Sequence, residues 1–184
     1  MAGMTEQSGD SFFSFRDRAL KELGTMEAIL AAFAAGPDDL THALAGLSEP
    51  DLDLARGPGK WTIRQTVHHV VDGDSMWGMC ARVAMGNPGA VFRLDWYDQE
   101  AWGAALDHAR RPLAPALALL CANRDHLTQL LDHVPDAWVQ HVLIPMPRYP
   151  DGYRMLVKDI ILTQAAHIPW HIGQIRETRE MHGV

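Results

Sequence analysis

The sequence predicts an all-α protein folded as a four-helix bundle with a long crossover loop. Four long segments repeat apolar residues at the 3.6-residue spacing of a helix, and Gly, Pro or capping residues bound most of them. Pro- and Gly-containing loops at 48–60 and 134–154 and an irregular connection at 90–111 separate them.

The first predicted helix covers residues 12–35, with Phe13, Leu20, Leu23, Ile29, Leu30 and Phe33 on its apolar face and Gly36-Pro37 as its stop. A short amphipathic piece at 38–47 and a Pro/Gly-rich loop at 48–60 follow. The second helix opens at Thr62, where Thr62-Ile63-Arg64-Gln65 has the form of a capping box. Its stripe is Ile63, Val67, Val70, Asp74, Trp77 and Ala81, and Gly86-Asn87-Pro88-Gly89 ends it. Residues 90–111 read as an irregular connection with one short helical turn near 99–106. The third helix covers 113–133 on Leu117, Leu120, Leu127, Leu130 and Leu131. Residues 134–154, with four prolines, form a loop excursion that has room for a short strand at 138–144. The fourth helix covers 154–181, on Leu156, Ile160, Thr163, His167, Trp170, Gln174 and Met181. Pro169 lies inside it, and a mid-helix proline removes one backbone bond at a cost of about 3 kcal/mol, so a kink or local unwinding is expected one turn before His171.

The 184 residues fit one domain, set at 11–184 behind a flexible tail at 1–10. With 47% hydrophobic and 21% charged residues the chain is globular. A net charge of −7 argues against nucleic-acid binding driven by phosphate neutralisation. No secretory leader is evident, and no apolar run approaches the roughly 18 residues of a membrane span. Cys80 and Cys121 do not form a C-x-x-C and read as reduced core thiols of a cytoplasmic protein.

Chemistry concentrates in the histidines. His167 and His171 stand four apart, so on a helix they project from one face and can grip a single divalent ion. Their neighbourhood is almost uncharged from 160 to 175. Two buried imidazoles without partners would cost on the order of 1–3 kcal/mol each, a penalty that a metal removes. The alternative is a pair of core histidines bonded to backbone carbonyls. A third ligand is available from His68 or His69; periodicity alone does not separate them. Asp72, three residues after His69, is either a solvated helix residue or an acceptor that orients a ligand imidazole. His42, His108, His126, His133, His141 and His182 read as surface or satisfied core residues.

Three motifs then carry a resemblance. Trp61-Thr-Ile-Arg-Gln-Thr-Val-His-His-Val-Val-Asp72 resembles the start of the metal-binding helix of the DinB/YfiT-like superfamily, W-[ST]-x-[RKE]-[EQ]-x-x-x-H-x-x-D. Tyr97-Asp-Gln-Glu-Ala-Trp102 resembles the Y-D-x-x-x-W of its YfiT branch, and His167-x-x-x-His171-Ile-Gly-Gln-Ile its C-terminal H-x-x-x-H-x-G-Q-I. The likeness spans roughly residues 45–180. It implies a DinB/YfiT-type bundle that binds one divalent metal through three histidines, and it selects His69, His167 and His171, with Asp72 as the trailing acid. Pro169 departs from the pattern and raises the expectation of distorted ligand geometry.

Three imidazoles leave coordination positions open, which is the form of a catalytic metal site. Zinc is the first expectation, with nickel or iron also suited to imidazole. The resemblance implies two reactions. One is transfer of a low-molecular-weight thiol of the bacillithiol, mycothiol or glutathione type to an electrophile. The other is hydrolysis by metal-bound hydroxide. Thiol transfer is preferred because the sequence offers no evident carboxylate base for water. A non-catalytic metal-binding or stress-response protein is the third reading. The expected partners are a small-molecule substrate and a thiol, with pairing into a homodimer through helix faces.

Overall fold

The computed structural model describes the backbone of residues 6–184 and the side chains from Ser14 onward. The first amphipathic segment forms two helices, α1 (Glu6–Leu23) and α2 (Met26–Leu44), instead of one. The break falls at Gly24, whose φ of +71° costs little without a Cβ. Thr25 then caps α2, its hydroxyl accepting from the Ala28 N–H. Of the tail expected over 1–10, residues 1–5 lie outside the described residues and 6–10 belong to α1. The side chain of Phe13 lies outside them as well.

α3 (Ile63–Gly86) begins as predicted. Thr62 Oγ1 accepts from Gln65 N–H at 3.1 Å, and the Thr62 N–H donates to Gln65 Oε1 at 2.9 Å. A short α4 (Gln99–Ala105) sits in the crossover segment, capped by Asp98, and α5 (Ala114–His133) follows. The expected loop excursion holds a hairpin of β1 (His141–Met146) and β2 (Tyr149–Leu156), paired antiparallel with Val142 opposite Met155. Residues 89–92 edge the far side of β1, the Gly89 and Phe92 N–H groups donating to the His141 and Leu143 carbonyls, and this pairing stops short of Pro145. The hairpin pairing becomes irregular between Ile144 and Met146, at Pro145. α6 (Val157–His182) starts without a side-chain cap; the Gln140 carbonyl accepts its first N–H at 2.9 Å instead.

The bundle proper is α2, α3, α5 and α6. α2 packs on α6 and α5, α3 packs on the same two helices, and α1 lies along α6. Phe33, Leu40, Val67, Val70, Leu120, Ile160 and Ile168 are fully buried at its centre. Each such side chain contributes about 1.5–3 kcal/mol over leaving it exposed. Leu20, Trp170 and Met181, expected on the apolar stripes, are exposed instead. For Leu20 the cause is the Gly24 break, because α1 packs mainly along α6 and leaves its far side uncovered.

Two prolines lie inside helices. α2 runs through Gly36-Pro37, absorbing most of the separate helix expected at 38–47. Pro37 cannot donate to the Phe33 carbonyl, and Nη1 of Arg124 from α5 donates there instead, at 2.8 Å. Arg124 Nε also donates to Asp74 Oδ1 at 2.5 Å, forming a buried ion pair between α5 and α3. Gly36 faces α6 so closely that a Cβ would lie 3.0 Å from Ile168 Cδ1. α6 stays helical through Pro169, which is exposed, so the local unwinding expected there does not occur. Among the described residues no helix is long and apolar enough to cross a membrane.

Candidate metal centre

α3 and α6 bring His69, His167 and His171 together, with one ring nitrogen from each lying within 4.8 Å of the others. The i,i+4 spacing on α6 places the Nε2 atoms of His167 and His171 3.0 Å apart. His69 reaches them from α3, its ring centroid 5.5 Å from that of His167 and 5.0 Å from that of His171. Gly73, one turn further along α3, faces His167, where a Cβ would make an ordinary contact with Cε1 at 3.6 Å. His68 points elsewhere. Its Nε2 donates to the Arg111 carbonyl at 3.2 Å, and its ring stacks on His108.

Hydrogen bonding at the far ring nitrogens leaves lone pairs for the centre. Gln174 Oε1 accepts from His171 Nδ1–H at 3.1 Å, which frees His171 Nε2 as a ligand. The Tyr97 hydroxyl lies 3.5 Å from His69 Nδ1. His167 Nδ1 is buried and has no hydrogen-bond partner among the described residues. Burial holds the three imidazoles neutral: His69 is lowered to about 3, with His171 and His108 adding to the effect. His171 is lowered to about 4, again by burial, partly opposed by its bond to Gln174. His167 falls well below the usual range through burial and the neighbouring His171, His69 and Arg124. Three neutral, buried imidazoles with facing nitrogens are a donor set that fits a divalent cation of the zinc, nickel or iron type.

The surroundings are aromatic. The Trp61 ring lies 4.7 Å from that of His69, Phe15 meets His167 edge-on at 5.3 Å, and Trp170 meets His171 at 4.9 Å. Asp72, read from the sequence as either a solvated residue or an orienting acceptor, bonds none of the three clustered imidazoles. Its Oδ2 accepts from His108 Nε2 at 2.8 Å, because residues 106–111 fold back onto this face of α3. His108 is therefore buried and paired to a carboxylate, a partnership no spacing in the sequence announced. Gln174 was within reach of sequence reasoning, lying one helical turn after His171. Arg124 was also visible, as a cation between Leu120 and Leu127 on the apolar stripe of α5. Cys80 is buried and its thiol is pushed up to about 12, as suits an inert core residue.

A four-helix bundle whose facing helices converge three histidines is the architecture of a metal-binding helical protein. Residues 32–175 match the family model of the DinB superfamily, and the chain belongs to that family. A protein of Geobacillus thermodenitrificans named "putative metal-dependent hydrolase" is 26% identical over 162 residues, covering 84% of each chain. A protein of Geobacillus kaustophilus with the same description is 25% identical, covering 88% of each. The fold is similar to that of YfiT from Bacillus subtilis, described as "a probable metal-dependent hydrolase with an unusual four-helix bundle topology". The TM-score is 0.75 at 22% identity, over 86% of this chain and 90% of that one.

Proposed function

We propose that this protein is a metal-dependent enzyme that holds one divalent ion, zinc by preference, on His69, His167 and His171. We further propose that it transfers a low-molecular-weight thiol to a small apolar electrophile. One observation carries the choice of nucleophile: the imidazole cluster is walled by Trp61, Phe15 and Trp170, while the nearby Asp72 carboxylate is committed to His108. An ion with an open position would act as a Lewis acid that lowers the pKa of a thiol or water bound to it. The three imidazoles stay neutral and keep their lone pairs available. Gln174 fixes His171, and the aromatic rings limit water around the reacting atoms. In the transfer the thiol releases its proton to solvent, sulfur bonds to the electrophilic carbon, and the leaving group departs with its electron pair.

The experiment supplies bacillithiol, mycothiol or glutathione with a chlorobimane, so that chloride is the leaving group. Metal-dependent conjugation above the uncatalysed rate supports thiol transfer. No conjugation with any thiol, together with turnover of ester or amide substrates, moves the assignment to hydrolysis. That second reading is favoured by the description of the Geobacillus relatives as metal-dependent hydrolases.

A further inference from the structure

Three side chains on one stretch of α3 each take a partner from the crossover segment. His68 bonds the Arg111 carbonyl, His69 faces the Tyr97 hydroxyl, and Asp72 bonds His108. Only one of the three belongs to the imidazole cluster, yet all three tie the same segment down. We propose that the segment from Tyr97 to His108 is the positioning element of the metal centre: Tyr97 orients His69, and the Asp72–His108 pair keeps Tyr97 in place. The proposal rests on the metal site proposed above.

The Tyr97 contact explains why a latch is needed. For His69 Nε2 to act as a ligand, Nδ1 must carry the proton and donate to the Tyr97 oxygen. At 3.5 Å that contact is at the long end of hydrogen bonding, where small displacements abolish it. Tyr97 also belongs to α4's aromatic cluster. Its ring rests edge-on against Trp102 of α4 at 5.0 Å, so its position is that of the crossover segment.

His108 supplies the anchor. It is 3% exposed although it lies in a connecting segment, and burying an imidazole there is costly unless it is paired. Its Nε2 is 2.8 Å from Asp72, its ring stacks on His68 at 5.3 Å, and its Nδ1 packs against Gly103 of α4, where a Cβ would stand 3.4 Å away. One ring thus joins α3 to the C-terminal end of the short helix that carries Trp102. Trp61 closes the other end, its Nε1 donating to Glu100 Oε2 at 3.1 Å while its ring covers His69.

The test is a Co2+ titration of chelator-stripped protein, followed by visible absorption and by tryptophan emission, to which Trp61 beside His69 and Trp170 beside His171 both contribute. Tyr97→Phe removes a single oxygen and should weaken Co2+ binding about 10–100-fold with an altered absorption band. Asp72→Asn and His108→Gln should each weaken it, and Asp72→Asn added to Tyr97→Phe should cost nothing more, since both act through one contact. Exposed His126→Gln should leave binding unchanged. Melting curves of the metal-free proteins separate lost positioning from lost folding. If Asp72→Asn unfolds, Tyr97→Phe and His108→Gln decide. Wild-type protein that takes up no Co2+ overturns the metal site and the proposal together. Wild-type binding with undiminished binding by Tyr97→Phe overturns the positioning role alone, and additive losses overturn the latch.

Discussion

Arg124 on α5 donates to the backbone carbonyl of Phe33 on α2, completing a hydrogen bond that Pro37 cannot make. The same guanidinium pairs with Asp74 on α3 and lies 3.9 Å over the Phe33 ring. One buried cation therefore joins three helices. Its removal leaves a buried carboxylate and a buried carbonyl without partners. We expect Arg124→Met to destabilise the fold by about 3–5 kcal/mol in urea denaturation, and Arg124→Met with Asp74→Leu to recover a large part of that loss. A double variant no better than the single would show that the ion pair is not the reason for the loss.

Acid should weaken the metal-free protein before it protonates ordinary carboxylates. An unfolded histidine titrates near ~6.5, whereas burial holds folded His171 at about 4 and His69 at about 3. The folded state therefore binds fewer protons in that window. Stability is fully present above about pH 6.5 and declines as pH falls towards 4, by up to ~1.4 kcal/mol per unit for each histidine. Urea midpoints measured at pH 7, 6 and 5 check this, and His171→Ala should show a shallower decline. A flat profile in the wild type would count against neutral burial of the cluster.

Removing a ligand should cost more metal affinity than removing an orienting group. His69→Ala and His171→Ala should each bind Co2+ or zinc more weakly than the roughly 10–100-fold loss typical of an orienting residue. Metal content by elemental analysis after dialysis is the measurement. Ligand variants that retain stoichiometric metal would move the site elsewhere.

Thiol chemistry should separate the two cysteines. Cys80 is buried with its thiol pushed up to about 12, while Cys121 is half-buried. A thiol reagent should leave native Cys80 unmodified and label it only in denaturant. Rapid native labelling of Cys80, located by peptide mapping, would contradict the burial described.

The long helices were legible because periodicity and caps act locally, and the Thr62–Gln65 box fixed the start of α3. The break at Gly24 was missed because a lone glycine inside an apolar stripe reads as tolerated, whereas here it takes a left-handed conformation. Gly36-Pro37 misled in the opposite sense: the donor that compensates Pro37 comes from α5, far away in sequence. The hairpin was half legible, since Val142 and Ile144 alternate but the prolines obscure their partner strand. At the site, spacing brought His167 and His171 together, and the family resemblance singled out His69. The partnership of Asp72 with His108 depends on how a connecting segment folds back, which neither spacing nor motif encodes.

The histidines proposed as ligands on α3 and α6 are about 100 residues apart along the chain, with the crossover, α5 and the hairpin between them. An ion held there would work as a rivet between distant segments of the polypeptide. Any opening that pulls α6 away from α3 would have to release it, and at a free concentration 100 times the Kd that adds about 2.7 kcal/mol to the cost of opening. Fraying at the outer helix ends would continue unhindered. Metal loading should thus slow hydrogen exchange in the middle of α3 and α6 while leaving their termini as they were.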